Sequence, residues 1–187
     1  MTEHNEGNNS ILKIALNLTS ACIISGMIIA AVYFLTNDIA ESKQAELNNL
    51  ALRSLVTEAD KYTPIAGKTG WYTATKSGTV IAYIVPSESK GYGGTIKMLV
   101  AVGPDNKVMK YTILEAKETP GLGDKAAKSP FMDQFAGKTS ANLKVTKDAN
   151  NKEDIQAISG ATITSRAVTL AVKNAVDEVS DLTKGGK

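Results

Sequence analysis

Residues 11–35 read ILKIALNLTSACIISGMIIAAVYFL, and no other stretch restricts the fold as strongly. Lys13 is the only charge in this run, and residues 14–35 carry none. As a helix the run is about 37 Å long at 1.5 Å per residue, more than the ~30 Å hydrocarbon core of a bilayer. Asn17, Thr19, Ser20 and Ser25 can bond back to the helix or to a neighbouring one, and Ser25-Gly26 and Ala30-Ala31 offer small-residue contact points. A cleaved signal has an apolar region of about 7–15 residues with basic residues ahead of it. Residues 1–12 contain neither Lys nor Arg, and Thr19 stands where a lipoprotein signal ending at Cys22 would need an aliphatic residue. The expectation is a retained transmembrane helix over 11–35 behind a polar tail, 1–10. Lys13 on one side and Lys43 and Arg53 on the other do not choose its orientation.

What the chain lacks narrows the chemistry. Its one histidine, His4, lies in the polar tail, and its one cysteine, Cys22, lies in the apolar run. The rest of the chain therefore cannot assemble a Ser-His-Asp or Cys-His site, nor a zinc or iron–sulfur ligand set. No catalytic residue and no metal ligand is expected. The 21 basic residues are interleaved with 19 acidic ones for a net charge of +2, which is no footprint for nucleic acid.

Beyond the anchor, residues 36–62 read as a helical connector with Leu47, Leu50, Leu52 and Leu55 on a partly apolar face, ended by Tyr62-Thr63-Pro64. A domain over 63–183 follows, with 184–187 as a fraying end. Its strands are TVIAYIVP (79–86), GTIKMLVAV (94–102) and KVMKYTILE (107–115), the last two joined by a tight turn at Gly103-Pro104-Asp105-Asn106. Trp71-Tyr72 opens a shorter strand, 124–135 reads as a helix, and LKVTKD (143–148) as one more strand before a polar loop. A last helix starts near Thr164 or Ser165, with Val168, Ala171, Val172, Ala175 and Val179 on one face. The class is α+β: one transmembrane helix, then an antiparallel sheet with flanking helices.

Three glycine-containing stretches are candidates for a site. In SGATITS (159–165), Gly160 and Ala161 leave the Thr162 hydroxyl accessible just before a helix, whose N-terminus favours an anionic phosphate; Arg166 lies one turn on. The same residues also make an ordinary capping turn with Thr164 or Ser165 as N-cap. ETPGLG (118–123) is a rigid turn where a flat ligand can approach backbone amides, or simply a strand-to-helix turn. KGYGG (90–94) sets Tyr92 between glycines and reads equally as a hairpin loop. The spacings fit neither a dinucleotide fingerprint nor a P-loop, and SESK (87–90) matches SxxK without its companion motifs.

Together these stretches, in this order behind one membrane helix, resemble the FMN-binding G subunit of the Rnf electron-transport complex, whose plan is shared by the C subunit of the sodium-pumping NADH:quinone reductase. The resemblance runs from Ile11 to about Leu182. It implies one FMN held covalently through a phosphoester to Thr162, attached by a separate flavin transferase that uses FAD and supplies the activating groups. It also implies that Ser159, Gly160, Ala161 and Thr164 surround the attachment point and that Glu118, Thr119, Gly121 and Leu122 lie along the isoalloxazine. The function implied is electron transfer within a ferredoxin:NAD+ oxidoreductase that pumps Na+ or H+, beside other membrane and peripheral subunits. Such a protein alone would not catalyse the overall reaction. The resemblance implies a single pass through the cytoplasmic membrane, with the N-terminus cytoplasmic and the flavin domain outside. One departure is Gln156, where many members carry an aspartate; Asp154 is the nearest acid. The alternatives are a non-redox membrane-anchored sensor or assembly module, and a flavoprotein of another extracytoplasmic electron route.

Overall fold

The computed structural model describes residues 4–185, and the side chains of residues 11–37, 43 and 47–184. Two compact units, Met1–Asn48 and Asn49–Lys187, are described separately. Helix α1, His4–Leu55, contributes to both. In the first unit, Ile11–Asn37 has a mean hydropathy of 2.1 and is long and apolar enough to cross a membrane. Ile14, Leu16, Ile29 and Phe34 are exposed, the arrangement expected of a lipid-facing rather than a core helix. Helical backbone already starts at His4, where a polar tail was expected, and of the 184–187 end only Gly186 and Lys187 lie outside the described residues.

The second unit is a five-stranded antiparallel meander in the order β1-β2-β3-β4-β5 with helix α2 against it. The strands are β1 Lys61–Pro64, β2 Tyr72–Lys76, β3 Thr79–Lys90, β4 Thr95–Val102 and β5 Val108–Glu115; α2 is Thr162–Gly185. Both faces of the sheet are covered, which explains why LVAV in β4 is apolar without alternation. On one face Val85, Ile96, Met98, Val100, Val102 and Tyr111 pack with Val168, Val172, Val176 and Val179 of α2. On the other, Ala74, Ala82, Ile84, Leu99 and Ala101 meet Leu52, Leu55 and Val56. Trp71, the only tryptophan of the chain, is 7% exposed in the α2-side core, with Lys68 Nζ 4.0 Å from its ring centroid.

Several boundaries differ from the sequence reading. Tyr62-Thr63-Pro64 is not a helix end but most of edge strand β1, where the missing N–H of Pro64 falls on the last paired residue. Of the expected leucine face only Leu52 and Leu55 are buried; Leu47 and Leu50 are exposed. Strand β3 continues through Pro86 to Lys90, because it has by then outrun β2, whose pairing stops at Ile84. The helix expected over 124–135 is two 3-10 segments, Gly123–Ala127 and Met132–Phe135. Pro130 between them has no N–H to donate and holds Ser129 out of helical geometry. The strand expected at 143–148 shortens to β6, Val145–Thr146, which pairs in parallel with β7, Ile155–Gln156.

Candidate functional site

The turn before α2 is closed by the Ala161 N–H donating to the Ile158 carbonyl at 3.0 Å, with Gly160 at φ 78°. A side chain at 160 would be strained there and would meet Leu122 Cδ2 at 3.1 Å, so the glycine lets the SGAT and ETPGLG turns touch. The helix opens at Thr162, not at Thr164 or Ser165, which corrects the expected cap. Ser165 instead sits inside the first turns, where its buried hydroxyl donates to the Ala161 carbonyl at 2.9 Å and accepts the Ile158 N–H at 2.9 Å. That reach backward serves the orphan donor of the turn from within the helix.

The two threonines of this turn have different fates. Thr164 is 1% exposed, and its hydroxyl donates to Glu118 Oε2 at 2.5 Å. Thr162 is half-buried, and its hydroxyl has no hydrogen-bond partner among the described residues. Glu118 also accepts the Gly93 N–H on Oε1 at 3.1 Å, so one carboxylate links the β3–β4 hairpin tip, the ETPGLG turn and α2. Gly123 makes room for it: a Cβ there would lie 2.6 Å from Glu118 Oε2 and 3.0 Å from Thr164 Oγ1. The turn itself is closed by Leu122 and Asp124, whose N–H groups donate to the Thr119 carbonyl at 3.2 and 3.4 Å, with Gly121 at φ 77°.

These contacts bring the three stretches around a cleft of about 670 Å³. Glu118, Thr119 and Leu122 form one wall, Gly160, Ala161, Thr162 and Thr164 another, and Tyr92 of the hairpin tip a third. Tyr92 is 71% and Ile163 54% exposed, so the rim is apolar and open. Ser159 lines a neighbouring cavity of about 530 Å³ beside Phe131 and Gln156, and Gly121 lines neither. Arg166 is exposed and outside the cleft lining; the cation that lines it is Lys147, just after β6, which no local motif marks.

Further contacts tie down the 3-10 segment that follows Leu122. The Tyr111 hydroxyl donates to the Ala126 carbonyl, and burial, helped by the Asp133 charge, pushes this phenol above its usual range. Asp124 is held below the usual carboxylate range chiefly by its hydrogen bond from Lys128 at 2.7 Å.

Residues 91–177 match the sequence profile of the FMN-binding domain, a span that contains the hairpin-tip glycines, ETPGLG and SGATITS. Over 179 residues the chain is 52% identical to the G subunit of the proton-translocating ferredoxin:NAD+ oxidoreductase complex of Clostridium ljungdahlii, covering 96% of each protein. It is 28% identical to the G subunit of the Na+-translocating ferredoxin:NAD+ oxidoreductase complex of Acetobacterium woodii, covering 93% of this chain and 94% of that one. The crystal structure of the C subunit of Na+-translocating NADH-quinone reductase from Parabacteroides distasonis superposes with a TM-score of 0.51 at 25% identity, over 60% of this chain and 61% of that one. With near-complete coverage at 52% identity and the FMN-binding profile lying over the cleft, this chain belongs to the G-subunit family of Rnf-type ion-translocating oxidoreductase complexes.

Proposed function

We propose that the protein is a membrane-anchored flavoprotein, the electron-carrying subunit of a ferredoxin:NAD+ oxidoreductase complex that couples electron flow to Na+ or H+ translocation. Its FMN is joined through a phosphoester to Thr162 by a flavin transferase, and its flavin domain stands outside the cytoplasmic membrane beside the other subunits. FMN, when bound, supplies one- and two-electron transfer; the protein's part is position and environment. The cleft suits such a group. Its volume of about 670 Å³ lies within the usual range for cofactor sites, and its lining mixes an aromatic ring and aliphatic side chains with a few hydroxyls.

The observation that carries the attachment site is the contrast between the two hydroxyls. The Thr164 hydroxyl is buried and engaged by Glu118, whereas the Thr162 hydroxyl lines the cleft unengaged at the first residue of α2. Backbone N–H groups of a helix's first turn have no partner within the helix and favour a phosphate beside them. Leu122, Tyr92 and Ile163 offer apolar walls for a ring, and Glu118 keeps those walls together through Thr164 and Gly93. The acid that lines the cleft, Glu118, has both oxygens engaged by Thr164 and Gly93, which agrees with activation of Thr162 by a separate transferase.

The test is expression of the full chain with and without flavin transferase, followed by denaturing electrophoresis and fluorescence imaging. Flavin should stay with the band only when transferase is present. Thr162→Ala should abolish the fluorescence and Thr164→Ala should retain it. Loss of label in Thr164→Ala alone would move the site, and an unlabelled wild-type band in the presence of transferase would favour a non-redox module.

A further inference from the structure

We propose that Lys147 is the cation facing the phosphate on Thr162, held there by the side-chain amide of Gln156; the inference rests on the flavoprotein reading above. A phosphodiester carries one negative charge and calls for one nearby cation. The cleft is lined by one acidic residue, Glu118, and one basic residue, Lys147. Glu118 has each oxygen engaged, one by Thr164 and one by Gly93. The Lys147 ammonium makes no hydrogen bond or ion pair with any described residue. Lys97 and Lys128 are, by contrast, paired with Glu115 and Asp124, and Lys173 with Asp177. Arg166, nearest to Thr162 in sequence, is not part of the lining.

The fold delivers Lys147 to this place through a short parallel pair. Thr146 stands opposite Gln156, and the Ala157 N–H donates to the Thr146 carbonyl at 3.0 Å. Because β6 and β7 run the same way, the chain leaving β6 at Lys147 and the chain leaving β7 toward Thr162 emerge at one end. The loop after Lys147 is then closed by Gln156, whose Nε2 donates to the carbonyls of Asp148 at 2.7 Å and Asn151 at 2.6 Å. Gln156 is itself fixed from behind by Gln134, which accepts its N–H at 2.7 Å and donates to its carbonyl at 3.4 Å. An aspartate side chain at 156 has no N–H for either carbonyl, so the side-chain amide is what this loop requires.

The experiment uses the full chain, co-expressed with flavin transferase and purified in detergent, carrying Lys147→Met, Lys147→Arg, Gln156→Leu or Arg166→Met. Two quantities are read: covalent flavin per protein at an early time with limiting transferase, and the ³¹P resonance of the attached phosphate. Lys147→Met should lower early labelling about three- to tenfold and shift the ³¹P resonance. Lys147→Arg should stay near wild type, Gln156→Leu should move both readouts in the direction of Lys147→Met, and Arg166→Met should leave both unchanged. A wild-type ³¹P resonance in loaded Lys147→Met, or a shift in Arg166→Met instead, overturns the proposal. If Lys147→Met takes up no flavin, full labelling of Lys147→Arg still establishes the charge requirement. Failure of both variants at wild-type melting temperature refutes it. An unlabelled wild-type chain would instead refute the reading on which this rests.

Discussion

Because the Thr164 hydroxyl is buried and directed at Glu118, replacing that acid leaves a donor facing nothing. Glu118→Ala also releases the Gly93 N–H, so the loss should be about 3–6 kcal/mol in urea unfolding, since two hydrogen bonds to a charged group are removed and each is worth about 1.5–3. Glu118→Gln should cost less, because its carbonyl can still accept from Thr164 while its NH2 opposes the Gly93 N–H. Gly160→Ala puts a Cβ at φ 78° against Leu122. It should cost about 1–2 kcal/mol, read as a lower thermal midpoint in near-UV circular dichroism. Both effects expose what local sequence withholds. Thr162 and Thr164 are the same residue type two positions apart, and only an acid 46 residues away in the chain tells them apart. Lys147 was equally illegible, since it reaches the cleft through a strand pairing that no spacing announces.

At the level of elements, Tyr111 ties β5 to the 3-10 segment that follows Leu122. Tyr111→Phe keeps the ring packing on Phe135, 5.0 Å between centroids, but leaves the Ala126 carbonyl without its donor. It should cost about 1–2 kcal/mol by urea titration. At α2, Asp177 accepts from Lys173 at 3.1 Å. Burial raises the affinity of this carboxyl for a proton, but hydrogen bonds with Ser140 and Lys173 outweigh it and hold the group below its ordinary value. A depressed folded value contributes stability above the unfolded one, about pH 3.9, and loses it as pH falls through the folded one. Asp177→Asn should therefore flatten the acid limb of urea midpoints plotted against pH below about 4. Elements were legible where pattern and punctuation agreed. The valine face of α2 is buried core, and β3 to β5 contribute Ile84, Val85, Ile96, Val100, Val102 and Val108 to the core on the two faces of the sheet. Pro130 was the visible warning against a helix over 124–135. The opening of α2 was hidden because Ser165 satisfies the turn from inside the helix, a role that four clustered hydroxyl residues do not reveal.

As a whole molecule, the chain separates into an apolar helical span and a unit with its own two-sided core. Residues 49–187 expressed alone should be soluble without detergent, with a cooperative thermal transition. The full chain should remain in the membrane pellet after carbonate extraction. A truncated protein that aggregates, or a full chain released by carbonate, would contradict that division. The unit also carries one indole, sealed in its core at Trp71. Indole emission overlaps the near-ultraviolet absorption of flavins, so light absorbed by this ring has one donor to start from and, in a singly loaded protein, one acceptor to reach. Dimming of that emission as flavin is attached, and its recovery when the flavin is bleached on reduction, would make the unlabelled protein its own optical gauge of loading and redox state.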